Sequence, residues 1–191
     1  MFVVASAGMT DVGRKRKNNE DALFIDDERS LYAVADGMGG HRAGEVASMI
    51  VVDALRDYMR GSADGEALDF LPPPDDDLSP EANRLLNGIR LANREVHRVA
   101  QSKEVYNGMG STVSAVMFSD QSMITANVGD SPIYLIHNGS IELLSFTHNV
   151  VSEQAAIDPD AARTIGASFG HMLTRAMGCL LYTSDAADDP L

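Results

Sequence analysis

The stretch LYAVADGMGGHRAGEVAS, residues 31–48, constrains the fold of this chain more than any other. Its first part is a short apolar run that ends on Asp36, and it reads as a buried strand. Gly37, Gly39, Gly40 and Gly44 follow, with His41 among them. From Gly44 to Arg60 the period changes: Ala47, Ile50, Val51, Ala54 and Tyr58 recur at helical spacing, so an amphipathic helix is predicted here. The chain must therefore pass from a strand into a helix through a glycine-rich corner that carries a carboxylate.

Glycines between a strand and a helix suggest a phosphate cradle, but the spacing argues against it. A dinucleotide fingerprint needs Gly-x-Gly-x-x-Gly, and counting from Gly37 and Gly39 the third glycine falls on Arg42. Gly39 and Gly44 have the separation of a P-loop, but Glu45 and Val46 stand where lysine and a hydroxyl are required. A glutamate there would repel the phosphates. Two readings stay open on this stretch alone. One is a metal corner, in which the strand fixes the Asp36 carboxylate and Gly37 lets the backbone turn its carbonyl to the same ion. The other is a plain strand-to-helix turn with Asp36 as a local hydrogen-bond acceptor.

The rest of the chain supplies a second helix and a set of short strands. MFVVASA is predicted as a first strand, and residues 22–26 and 31–36 as a strand pair around DERS. GSADGEALDFLPPPDDDL is predicted as a loop, because three prolines cannot propagate a helix or strand. Ser79 is a suitable N-cap and Pro80 suits the first helical position. The helix they open would bury Leu85, Ile89, Ala92, Val96 and Val99. STVSAVMF, SMITANV, IYLI and IELL read as strands, with Asn138-Gly139 as a tight turn between the last two. VVSEQAAIDPDAARTIG reads as helix broken at Pro159. The fold class is α+β, an antiparallel sheet covered by long helices.

Two further stretches carry acidic residues at strand ends. GRKRKNNEDA brings Arg16 close in sequence to Glu20 and Asp21. Arginine grips phosphate oxygens bidentately while carboxylates hold cations; the plain alternative is a surface ion-pair cluster. In ANVGDSPIYL, Asp130 follows Gly129. Three such sites, if they converge, suit hard divalent cations and two-metal hydrolysis. The net charge of −13 disfavours nucleic acid and anionic membranes as partners. The single cysteine, Cys179, excludes an internal disulfide framework and a cysteine-rich zinc site. No apolar run is long enough to span a bilayer, and MFVVASAGMT lacks the basic start of a signal peptide. A cytoplasmic location is expected.

In this order, GRKRKNNED, VADGMGGHRAGEVAS, GMGSTV, ANVGDSPIYL and LTRAMG resemble the motifs of the metal-dependent Ser/Thr protein phosphatases of the PP2C (PPM) family, bacterial type. The resemblance covers residues 1–178, expected to form one partial phosphatase domain. It implies a sandwich of two antiparallel β-sheets flanked by α-helices, with a binuclear Mn²⁺ or Mg²⁺ centre at one end. By position, Arg16 would bind the substrate phosphate and Glu20 would ligate one metal. Asp36 would bridge both, and the Gly37 carbonyl would complete a site. Asp21 would hold metal-bound water, and Asp130 a weaker third ion. The implied reaction is hydrolysis of phosphoserine or phosphothreonine by direct attack of a metal-bridging water. The implied partners are phosphoproteins and a bacterial Ser/Thr kinase, and a monomer is expected.

The chain departs from the family pattern at several places. Met38 stands where eukaryotic members place a histidine, as is usual in bacterial members, and His41 is read as a helix-start or packing residue rather than an acid. Pro132 replaces the arginine that usually follows Gly-Asp-Ser. Thr147 replaces the acid that often precedes the residue at His148, whose role the sequence leaves open. The ending CLLYTSDAADDPL does not continue the family. Residues 179–191 are expected to be a non-family tail, and Ser184–Asp185–Ala186 only mimics the family's Ser-Asp-Gly. Two metal-binding aspartates would then be missing, and weak or no turnover is expected of the 191-residue form. The runner-up reading is a catalytically dead fragment acting as a phosphoprotein-binding or regulatory module that uses Arg16. A Ca²⁺ binder is disfavoured because there is no EF-hand loop.

Overall fold

The structure is a computed structural model, and it describes residues 4–39, 43–61, 71–119, 122–165 and 169–179. The start of MFVVASA, His41, much of the loop before PPPDDD and residues 180–191 lie outside the described residues.

Strand β1 (Asp21–Asp26) pairs antiparallel with β2 (Leu31–Met38). The turn at residues 27–30 joins them, and Ser30 takes a positive φ of 50° there. The second strand does not stop at Asp36 but runs on through Gly37 to Met38, because a short strand β3 (Gly110–Ser111) pairs with that end. Strand β4 (Val113–Ser119) pairs with the body of β2, and β5 (Ser122–Val128) pairs with β4. The sheet order is therefore β1-β2-β4-β5, with β3 continuing the line of β4 along β2. A separate ribbon, β6 (Tyr134–His137) and β7 (Ser140–Leu143), is exposed along both strands. Its turn fulfils the Asn-Gly signal: Asn138 and Gly139 both have positive φ, 48° and 77°, as a type I′ hairpin requires.

Helix α1 (Ala43–Arg60) and helix α2 (Pro80–Ser102) cover one face of the sheet. Phe24, Leu31, Ala33, Ala35, Val113, Ala115 and Met117 point from the sheet into this layer. The buried seam of α1 is Ala47, Val51, Leu55 and Met59. It is rotated from the predicted stripe, so Ile50, Ala54 and Tyr58 pack at the margin of the core. In α2 Leu85, Ile89, Ala92 and Val96 are buried as predicted, with Val99 at the margin. The Ser79 hydroxyl accepts from the Ala82 amide at 3.1 Å, and Pro80 opens the helix.

One expectation is corrected. Residues 4–7 form no strand; the Ser6 hydroxyl donates to the Asp27 carboxylate at 2.6 Å. A strand needs a backbone ladder, and this segment makes none among the described residues. The predicted break at Pro159 is present: helix α3 (Val150–Ile157) ends at Asp158, whose side chain then caps the short helix α4 (Pro159–Ala162).

Candidate metal centre

The strand register builds the site. The β1–β2 ladder sets Asp21 opposite Asp36, so their side chains leave the same face at neighbouring positions. Two carboxylates this close repel one another. The Asp36 carboxyl is held above its ordinary range, first by partial desolvation, then by the charge of Asp21 and the hydrogen bond the two share. Arg16 pulls it back down, and Asp130 adds to the rise. Four of the predicted site residues therefore act on one another electrostatically, although they come from three separate parts of the chain.

The corner at Gly37 is packed backbone to backbone. The Gly37 amide donates to the Glu20 carbonyl at 2.9 Å. A Cβ on Gly37 would stand 1.9 Å from the Gly44 carbonyl oxygen and 2.7 Å from the Glu20 carbonyl oxygen. Only glycine fits. Gly44 leaves a cradle in the same way: a Cβ there would sit 2.9 Å from a Glu20 carboxylate oxygen and 2.9 Å from the Gly37 carbonyl oxygen. Those two oxygens thus converge on the first turn of α1, where the missing side chain leaves them room.

These donors, carboxylates and one backbone carbonyl, are what a hard divalent cation takes. The donor set fits such an ion but does not enclose it. Among the described residues no three His, Cys, Asp or Glu side chains are grouped to hold a metal unaided, so water and other oxygens would have to complete the shell. Arg16 lies beside the site, 3.9 Å from the Glu20 carboxylate, with its side chain 62% exposed. At that distance, with the guanidinium itself in solvent, the pair is weak, which leaves the guanidinium available to an anion.

Sequence reasoning missed the residues that hold this corner. Thr112 is buried behind Asp36, and its hydroxyl accepts from the Asp36 amide at 3.0 Å. The Asp36 carbonyl accepts from the Thr112 amide at 2.9 Å and from the Ser111 hydroxyl at 3.1 Å. Thr112 also bonds the Ser131 hydroxyl at 2.8 Å, next to Asp130. His148 has a role here too: its Nδ1 accepts from the Gly129 amide at 3.1 Å, while its own amide donates to the Gly129 carbonyl at 2.9 Å. It pins the loop that carries Asp130. The GMGST string could have pointed to a buried hydroxyl near the corner, but not to its partners.

An antiparallel sheet layered with two helices, and opposed carboxylates where the edge strand β1 meets β2, define an α+β protein with a cluster of oxygen donors at one end of that strand pair. The chain belongs to the protein phosphatase 2C family, whose model matches residues 12–158. It is 38% identical over 148 residues to a putative protein phosphatase 2C-type of Streptococcus pyogenes, a match covering 75% of this chain and 55% of that one. The chain thus spans about half the length of the curated relatives it matches. Among solved structures it resembles the serine/threonine phosphatase Stp1 of Staphylococcus aureus, with a TM-score of 0.71 and 33% identity over 92% of this chain and 66% of that one. It also resembles the catalytic domain of the serine threonine protein phosphatase PstP in complex with two manganese ions. There the TM-score is 0.65 and the identity 29%, over 87% of this chain and 63% of that one. These relatives support the α+β phosphatase fold expected from the sequence. Among the described residues no helix is long and apolar enough to cross a membrane.

Proposed function

We propose that this chain is the metal-dependent core of a protein serine/threonine phosphatase acting on phosphoserine and phosphothreonine. The observation that carries the reading is the cross-strand pair Asp21–Asp36 beside Arg16, in a chain of the protein phosphatase 2C family. Mn²⁺ or Mg²⁺ would be held by Glu20, Asp36 and the Gly37 carbonyl, with Asp130 serving a further ion. Bound ions would supply Lewis-acid activation of water and neutralise phosphoryl oxygens.

The chain's own residues do the rest. Arg16, exposed at the rim, takes the phosphate oxygens of the substrate through its planar fork of donors. Asp21 orients water by accepting its hydrogen bonds beside Asp36. Glu20 is aimed by the backbone bond between its carbonyl and Gly37. The phosphatase domain spans residues 1–178, acts in the cytoplasm as a monomer, and has as partners phosphoproteins made by a Ser/Thr kinase.

Phosphate release from a phosphothreonine peptide tests the reading, on this chain and on a version extended to the length of its relatives. Release in the extended version should require Mn²⁺ or Mg²⁺ and fall to background in Asp36→Asn. Undiminished turnover in Asp36→Asn, or turnover that ignores chelators, would refute it.

A further inference from the structure

We infer that Thr112 is a positioning residue that couples the Asp36 corner to the loop carrying Asp130, so that ion binding at the two aspartates is interdependent. This rests on the metal-centre reading above.

The register of the sheet shows what Thr112 does. Gly37 pairs with Ser111 and Val34 with Ser114, so β3 and β4 keep one register along β2 and Asp36 falls opposite Thr112. In an ordinary hydrogen-bonded pair the two residues exchange both backbone bonds. Here only one is made, from the Thr112 amide to the Asp36 carbonyl at 2.9 Å. The Asp36 amide instead donates to the Thr112 hydroxyl at 3.0 Å. The Thr112 carbonyl, displaced from the ladder, lies 2.8 Å from the Ser111 hydroxyl, whose one proton it shares with the Asp36 carbonyl at 3.1 Å. The strand break between β3 and β4 is thus a side chain standing in for its own backbone.

The hydroxyl also bonds the Ser131 hydroxyl at 2.8 Å, and one hydroxyl can accept and donate at once. The Ser131 carbonyl is fixed in turn by the Ser114 hydroxyl at 2.6 Å and the Asn127 side-chain Nδ2 at 2.8 Å. On its other side Thr112 meets Gly129, where a Cβ would lie 2.6 Å from the Thr112 methyl. The backbone at Asp36 and the loop around Asp130 therefore lean on the same buried side chain, which is 2% exposed. Thr112→Val keeps the shape and deletes the hydroxyl. The ladder could then close in the ordinary way, turning the Asp36 backbone and freeing Ser131. Thr112→Ser keeps the hydroxyl and loses only the methyl.

Mn²⁺ titration of the 191-residue chain, followed by the electron paramagnetic resonance of free Mn²⁺, tests the coupling. Thr112→Val should bind Mn²⁺ about tenfold more weakly, the scale of losing a partner that orients a ligand. Thr112→Ser should stay close to the parent. Asp130→Asn should cost less affinity in the Thr112→Val background than in the parent, because coupled sites are not additive. Unchanged binding in Thr112→Val, or strict additivity with Asp130→Asn, would overturn the inference. If Thr112→Val does not fold, Ser131→Ala decides the matter: weakened binding supports the coupling and parental binding refutes it. Mn²⁺ binding that Asp36→Asn leaves untouched would instead overturn the metal-centre reading itself.

Discussion

Replacing Gly37 by alanine should damage both stability and ion binding, and the size of the effect follows from the packing. The new methyl carbon would lie 1.9 Å from the Gly44 carbonyl oxygen and 2.5 Å from its carbon. That separation must open by roughly 1 Å before it reaches the closest approach that non-bonded atoms tolerate. Both obstacles are backbone, Gly44 in the first turn of α1 and the Glu20 carbonyl just before β1, so no side chain can rotate away. Moving α1 would disturb the fully buried Ala47 and Val51; moving the β1 side would stretch the 2.9 Å bond from Gly37 to Glu20. Overpacking usually costs about 1–3 kcal/mol. With two backbone walls the expected loss is at the top of that range or just above, about 3–4 kcal/mol. For a chain of this size that corresponds to a fall in melting temperature of roughly 6–16 °C. Urea unfolding followed by circular dichroism gives the stability, and Mn²⁺ titration of the variant below its midpoint gives the binding. Gly61→Ala is the control: Gly61 has a positive φ of 75° but open space around it, so only the backbone penalty of about 1–2 kcal/mol applies. If Gly37→Ala melts no lower than Gly61→Ala and binds Mn²⁺ as the parent does, the packed corner is not the determinant argued here.

Two further perturbations probe the frame around the site through pH. Asp26 is 5% exposed, and burial alone would raise its pKa. The Arg29 amide and guanidinium, with Arg60, outweigh burial and hold it below its ordinary value. This stabilisation is fully present above the unfolded carboxylate range of about 4, and it is lost as pH falls through the lower folded value. Asp26→Asn should cost about 1–3 kcal/mol at neutral pH, since both arginines remain partly hydrated, and should flatten the acid limb of a stability–pH curve. His148 shifts downward, by burial first and then by the charge of Arg175, with Glu153 pulling the other way. The folded protein therefore binds the proton less readily than the unfolded chain, and stability should fall as pH drops from about 6.5 through the folded value. Melting curves in chelator between pH 7.5 and 5.5 should show that loss in the parent and not in His148→Ala.

Much of the fold was legible where local chemistry specifies it. Asn138-Gly139 supplies the two positive φ angles of a tight hairpin, and Ser79-Pro80 caps and opens a helix without tertiary help. The tight corner after Asp36 was visible from its glycines, because a side chain at Gly37 would meet backbone on two sides. Even the Asp21–Asp36 pairing has a sequence signal, since the runs on either side of DERS pair outward from Asp26 and Leu31. What stayed hidden depends on segments remote in the chain. Residues 4–7 have the composition of a strand, but a strand exists only with a partner. Thr112 lies 76 residues from Asp36, and nothing in GMGST says that its hydroxyl replaces its own carbonyl in the ladder.

The fold and the chemistry ask different things of the Asp21–Asp36 pair. For folding alone it is a liability, two like charges on adjacent strands at the open end of a sheet, of the kind that costs stability when directly opposed. Sheets tolerate such pairs where something cationic lies between or beside them. Arg16 does part of this, but its side chain is largely exposed and shared with Glu20, and a screened pair of that kind offsets little. The backbone around the pair is nonetheless over-determined: Asp36 is bound at its amide and twice at its carbonyl, and Gly37 is walled on two sides. Rigid backbone behind mutually repelling carboxylates is costly in the empty protein and favourable once a divalent cation neutralises them. That asymmetry argues for an ion at this site more strongly than the identity of any one ligand does.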